Sequence, residues 1–144
     1  MKDRPDHHDA DLVLKVYELR REATMRESRN KINGEFWPKS FEEVVAVTAI
    51  GHPLNAPFRQ VSTFWEMVYG IVKAGIVNGD YFLESNGEGI FLFAKLEPHL
   101  ERLRAEYNPF VARHAEWVTQ ETETGRRYLE LFRGRVAKAL AARP

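Results

Sequence analysis

The chain has 144 residues, 44% hydrophobic, 29% charged and 12% aromatic, with 21 basic and 21 acidic side chains. That length fits one domain with a core large enough to stand without staples. Zero net charge disfavours nucleic-acid binding, which draws on a basic excess. The absence of cysteine excludes disulfides, thiolate metal sites and a cysteine nucleophile.

The first eight residues are polar and read as a frayed tail. They carry no secretory h-region. No apolar run is long enough to cross a bilayer; the longest, Phe64 to Val77, is interrupted by Glu66 and Lys73. A cytoplasmic location is the expectation. A helix follows from about Asp9 to Asn30, with Asp9 or Asp11 as its cap. Leu12, Val16, Leu19 and Ala23 form its apolar stripe. Asn33-Gly34 and Pro38 break the pattern. Ser40 and Glu43 then make a capping box for a short helix, which Gly51 and Pro53 end.

A longer helix opens at Asn55 with Pro57 in its first turn. Phe58, Val61, Trp65, Val68 and Val72 lie on one side, and Gly75 stops it. Asn78-Gly79 is a turn, and Asp80 is the expected cap of the next helix. The run "ESNGEGIFLFAKLEP" places Gly87 and Gly89 before a strongly apolar stretch. A phosphate loop needs converging N–H groups and a following Lys, Ser or Thr. Here Glu88 sits between the glycines and none of those residues follows at once. The expectation is a bend, with the glycines supplying unusual backbone angles. Pro98 kinks the next helix or starts a new one. Asn108 and Pro109 open another, and the last helix carries Tyr128, Leu131, Phe132, Val136, Ala139 and Leu140. The reading is all-α: a single compact bundle of about six helices with short connections.

No motif in the sequence supports catalysis. There is no H-E-x-x-H, E-x-x-H or G-x-S-x-G, and the "HAE" at His114 lacks the cysteines a zinc deaminase needs. An enzyme would have to draw on Glu66, Tyr69, Arg113 and His114, so no catalytic residue, cofactor or metal is assigned. His7, His8, Asp9 and Asp11 are ligands by type only, at a terminus without fixed geometry. The helix-turn-helix-like run "VKAGIVNGDYFLE" has an acidic second helix with no base-reading side chain.

The stretches "GIVNGDYFLE", "IFLFAKLEPHLERLR" and "NPFVARHAEWV" resemble a bacterial family of small helical proteins known only as a domain of unknown function. Gly75, Ile76 and Asp80 match its turn and acidic cap. Phe93, Leu96, Pro98 and Leu100, with Arg102 or Arg104, match its aromatic helix, and Trp117 its last segment. The match lies mainly over residues 75–118. Two features depart from it: many relatives carry an N-terminal membrane helix, and His114 stands where the family has an aromatic. The resemblance implies a helical fold and lends no chemistry.

Two functions remain from the residues. The first is a self-associating interaction domain, a homodimer or a complex with another protein, with Phe36, Trp37, Phe41, Phe91 and Phe93 as an exposed apolar patch. The alternative is a small-ligand or sensory domain whose pocket is lined by Trp65, Tyr69, His114, Trp117 and Tyr128.

Overall fold

The computed structural model describes residues 2–144. Among them the chain forms nine α-helices and one 3-10 turn, with no strand: α1 (His7–Arg21), α2 (Ala23–Glu35), α3 (Phe41–Val47), α4 (Asn55–Lys73), α5 (Gly79–Ser85), α6 (Glu88–Leu96), α7 (Leu100–Glu106), α8 (Arg113–Glu121) and α9 (Glu123–Ala141), the turn covering Glu97–His99. The all-α expectation holds. The helix number exceeds six because the first long stretch is broken at Glu22, which carries no strong sequence signal, and the run through Pro98 divides at the Glu97–His99 turn.

The first break is at Glu22. Its backbone is extended (φ −54°, ψ 143°), and its carboxylate accepts hydrogen bonds from the Thr24 and Met25 amides. It therefore caps α2 in place of Ser, Thr, Asp or Asn. Those two bonds hold the Glu22 carboxyl below its usual range. The expected single helix divides there into α1 and α2. Arg29 spans the break, donating to the Arg20 carbonyl at 3.2 Å. Thr122 caps α9 through Gly125 N at 2.9 Å and separates it from α8, two helices the sequence also keeps apart.

Residues 2–8 are tied down rather than frayed. Lys2 Nζ pairs with Asp6 at 2.8 Å and Asp9 at 2.7 Å. Asn78 donates to the carbonyls of Lys2 and Asp3. The cap of α1 is Asp6, which accepts from His8 N and Asp9 N. Asp9 is instead fully buried and receives the Asn78 amide at 2.8 Å. Asn78 in turn caps α5, the role expected of Asp80; Asp80 accepts from Thr124 N in the first turn of α9.

Helix α4 is the axis of the molecule, packed against α2 and α8. Of the stripe expected from the spacing, Val61, Trp65, Val68 and Val72 are buried along it and Phe58 is half-buried; Tyr69 is buried beside them. Each such side chain removed from water contributes about 1.5–3 kcal/mol. Gly75, at φ +77°, ends the segment as expected. Helix α9 packs on α6 and α8, burying Leu129, Phe132 and Val136, while Leu131 faces solvent. No helix among the described residues is long and apolar enough to cross a membrane.

The two glycines of the α5–α6 junction have ordinary backbone angles: Gly87 has φ −83°, and Gly89 lies within α6. Their role is close approach. A Cβ on Gly87 would lie 2.6 Å from the Tyr128 ring, and one on Gly89 2.6 Å from Trp65. Glu88, between them, is clamped by Arg29 (2.6 and 3.2 Å) and Asn33 (2.6 Å). The expected anion-repelling carboxylate is a bolt between α2 and α6.

Candidate functional site

The face of α4 next to its buried stripe carries Asn55, Phe58, Arg59, Ser62 and Glu66. It forms one wall of a cleft of about 450 Å³. Helices α3, α6 and α7 supply much of the remaining apolar lining, through Val44, Leu92, Phe93, Leu96 and Leu103. Trp65 closes it on the α4 side. The missing side chain of Gly89 lets the rings of Trp65 and Tyr69 lie against α6. Substituting Gly89 would therefore disturb this wall of the cleft.

The rim is the segment between α7 and α8. Tyr107 N and Asn108 N both donate to the Leu103 carbonyl, and Asn108 Oδ1 accepts from Phe110 N at 2.9 Å. The segment then reaches Ala112 in the left-handed region, φ +52°, where a side chain is strained. Tyr107 and Phe110 project from it, with Phe110 70% exposed.

Glu66 holds this rim in place. Ala112 offers α8 no side-chain cap. Across the interface, Glu66 Oε2 accepts from His114 N (3.0 Å) and Oε1 from Ala115 N (2.8 Å). A carboxylate at a helix N-terminus satisfies orphan amides and complements the dipole. His114 Nδ1 lies 2.9 Å from the Glu66 carbonyl, with the imidazole packed over Gly70. Removing the carboxylate as Glu66→Ala should cost about 1–2 kcal/mol, the range for a lost cap. Hydrogen exchange should localise the loss to α8 and residues 107–112. Uniform deprotection across the molecule would refute a local role.

The residues an enzyme would need are thereby committed to structure. Glu66 and His114 meet, but both carboxylate oxygens are engaged in capping. Tyr69 is fully buried and donates to the Asn86 carbonyl at 2.8 Å; burial pushes its phenol well above the usual value. Arg113 donates to Pro109 O. His7 and His8 pack on each other, 4.1 Å between centroids, and Asp9 turns inward. Among the described residues no group of three or more ligand-type side chains converges on a metal site.

The five residues expected to line one pocket fall in separate places. Trp65 lines the cleft and Tyr69 stacks behind it, 5.5 Å between ring centroids. His114 lies on α8 against α4. Trp117 borders a shallow depression with Lys73, Arg104 and Arg113. Tyr128 packs on Phe132 and over Gly87 on the α9 side.

The expected exposed patch is also redistributed. Phe36, Phe41 and Phe93 are buried, and Trp37 and Phe91 are half-buried. Phe93 joins the cleft lining, and Arg102 covers the Phe41 ring at 3.9 Å. Phe36, Trp37 and Phe91 surround Lys95, a residue the sequence reading passed over. Its ammonium lies 3.9 Å from the Trp37 centroid and 4.8 Å from that of Phe91. It donates to the carbonyls of Ile32 (2.9 Å) and Asn33 (3.4 Å) in the last turn of α2. Burial, with a smaller push from Arg143, brings this lysine down to about 7. Its flanking residues, Ala94 and Leu96, gave no sign of a buried charge.

Trp65 Nε1 is buried without a hydrogen-bond partner. Arg59 offers its carbonyl to Thr63 Oγ1, while its guanidinium pairs with no carboxylate among the described residues. The cleft wall thus carries an unpaired guanidinium, and its one carboxylate, Glu66, is already occupied.

No curated protein and no solved structure matches the chain. A family model does, over residues 5–122. That span runs from the docked N-terminus to the Thr122 cap, well beyond the stretch where the resemblance was carried by sequence motifs, and leaves α9 outside it. The chain belongs to the family described as a domain of unknown function, DUF4760.

Proposed function

We propose that the protein is a binding module that takes a small, mainly apolar molecule into the cleft between α4, α6 and α7. The observation that carries this reading is the cleft itself. Its volume of about 450 Å³ lies in the range of small-molecule sites, ~300–1,000 Å³. Its lining is apolar with a few polar groups at the edge, the composition such sites share.

A ligand that binds only the folded chain must raise its melting temperature. A panel of neutral apolar and amphipathic compounds is therefore expected to contain stabilising members. At a hundredfold excess over Kd the gain is about 2.7 kcal/mol. Ser62→Phe, which fills the cleft from α4, should abolish the shift. A panel with no stabilising compound, or one whose shifts survive Ser62→Phe, would overturn the reading.

Self-association is the second reading. Its support moves from the predicted phenylalanines to Tyr107 and Phe110, the exposed rings at the cleft rim. A second copy would then cover the cleft. Light scattering on the chain and on Phe110→Ser distinguishes the two, since only the second reading makes a dimer that this change dissolves.

A further inference from the structure

Resting on that reading of the cleft, we propose that its ligand is an anionic amphiphile, a carboxylate on an apolar tail of medium length, with the carboxylate held by Arg59. The volume and lining describe the tail. The charge comes from what the wall leaves unpaired.

Three groups of α4 that line the cleft are donors without protein acceptors among the described residues. Arg59 stands at the mouth, exposed, with no ion pair among the described residues. Ser62, one turn further along, has no acceptor for its hydroxyl among the described residues. Trp65, a turn deeper and 2% exposed, has an orphaned indole N–H. A buried donor left unsatisfied is costly, and native chains rarely leave one without a partner. The spacing 59, 62, 65 keeps the three on adjoining turns of the same helix.

The one carboxylate of the cleft and the Asn108 amide oxygen are already used. Glu66 gives both oxygens to α8. Asn108 Oδ1 is taken by Phe110 N. A cationic ligand would therefore meet Arg59 and no free carboxylate. A neutral apolar ligand would leave all three donors as they are. A carboxylate satisfies Arg59 with the charge-assisted, bidentate geometry that guanidinium favours. An oxygen on the tail would serve Trp65.

Calorimetric titration of the full chain with decanoate, decanol and decyltrimethylammonium tests this, each below its micellar concentration. Decanoate should bind at least about tenfold more tightly than decanol, one charge-assisted contact's worth. The ammonium compound should bind weakest. Arg59→Gln should bring decanoate to the affinity of decanol, and Arg59→Lys should restore part of the difference. Arg59 is exposed and unpaired, so neither change threatens the fold. In NMR spectra the Trp65 indole N–H resonance should move on adding 3-hydroxydecanoate.

Equal affinity for decanoate and decanol, or a difference that survives Arg59→Gln, would overturn the anionic assignment and leave the cleft as a binding site. Preference for the ammonium compound would do the same. No binding of any of the three would overturn the cleft reading as well. If the chain also formed a dimer lost in Phe110→Ser, the cleft would belong to a second copy.

Discussion

Gly125→Ala should destabilise the protein by about 3 kcal/mol, the upper part of the range for overpacking a filled site. In a chain of this size that lowers Tm by about 10 °C. A Cβ at Gly125 would lie 2.0 Å from the Val118 carbonyl oxygen and 2.5 Å from Thr122 Oγ1. The first of these is backbone at the end of α8 and cannot rotate away. Thr122 Oγ1 is fixed as well, because it donates to Val118 O and accepts from Gly125 N. The clash therefore strikes the joint that sets the angle between α8 and α9. Gly134, in the same helix, is the control. Nothing lies within 4 Å of its missing Cβ, and it faces solvent. Gly134→Ala should stabilise by about 0.5–1 kcal/mol through helix propensity. Thermal unfolding of the two variants should move in opposite directions. A mild effect at Gly125 would mean that α8 and α9 can pivot.

Stability should rise between pH 7 and pH 9, and Lys95→Met should remove the rise. Burial lowers the folded-state value of Lys95 to about 7. The unfolded chain keeps the ordinary value near 10.5. In that window the unfolded chain holds a proton that the folded chain has released, so stability increases with pH. Below pH 7 both forms are protonated, and the cost of burying the charge is paid in full. From pH 7 to 9 the gain is about 2 kcal/mol. That figure is an upper bound, because the Trp37 and Phe91 rings and the α2 carbonyls favour the ammonium. Charge within this cluster comes from Arg143, which stacks on Trp37 at 4.4 Å, and Lys39, which holds the Arg143 and Pro144 carbonyls. Urea unfolding at pH 6, 7, 8 and 9 reads the slope. At pH 6, Lys95→Met should match or exceed the parent, since an apolar side chain of similar length replaces a buried charge. An equal slope in the variant would place the titration elsewhere.

Much of the local architecture was legible because it depends on neighbours in sequence. The Ser40 cap with Glu43, the start of α4 near Asn55, its buried stripe and the stop at Gly75 follow from periodicity and capping chemistry. Where a cap was misassigned, a tertiary partner had taken the obvious candidate. Asp9 was drawn inside by Lys2 and Asn78, and Asp80 by α9. Glu22, a residue with ordinary helix propensity, took a capping role that no composition rule would single out.

The site was less legible. Trp65 was named from the sequence as a pocket residue, and it lines the cleft. Tyr69, His114, Trp117 and Tyr128 share its chemistry but point to different neighbours. Aromatic content marks a residue as one that packs; it does not say against what. Arg59 could not be identified at all, because its signal is the lack of a partner. Lys95 was hidden for the converse reason: a lysine in an apolar helix reads as a snorkelling surface residue until the rings around it are known.

The amino-acid sequence by itself determined an all-α chain without disulfides, the Ser40 and Asn55 helix starts with the Gly75 stop, and most of the apolar stripe of α4. Those depend on interactions within a few residues, where spacing stands for geometry. Only the tertiary structure decided that Gly87 and Gly89 admit rings, that Glu88 and Glu66 are structural bolts, that Phe36, Phe41 and Phe93 are buried, and that a cleft remains beside Trp65. Each of these depends on which helices meet, and such contacts join residues tens of positions apart whose pairing leaves no trace in local spacing.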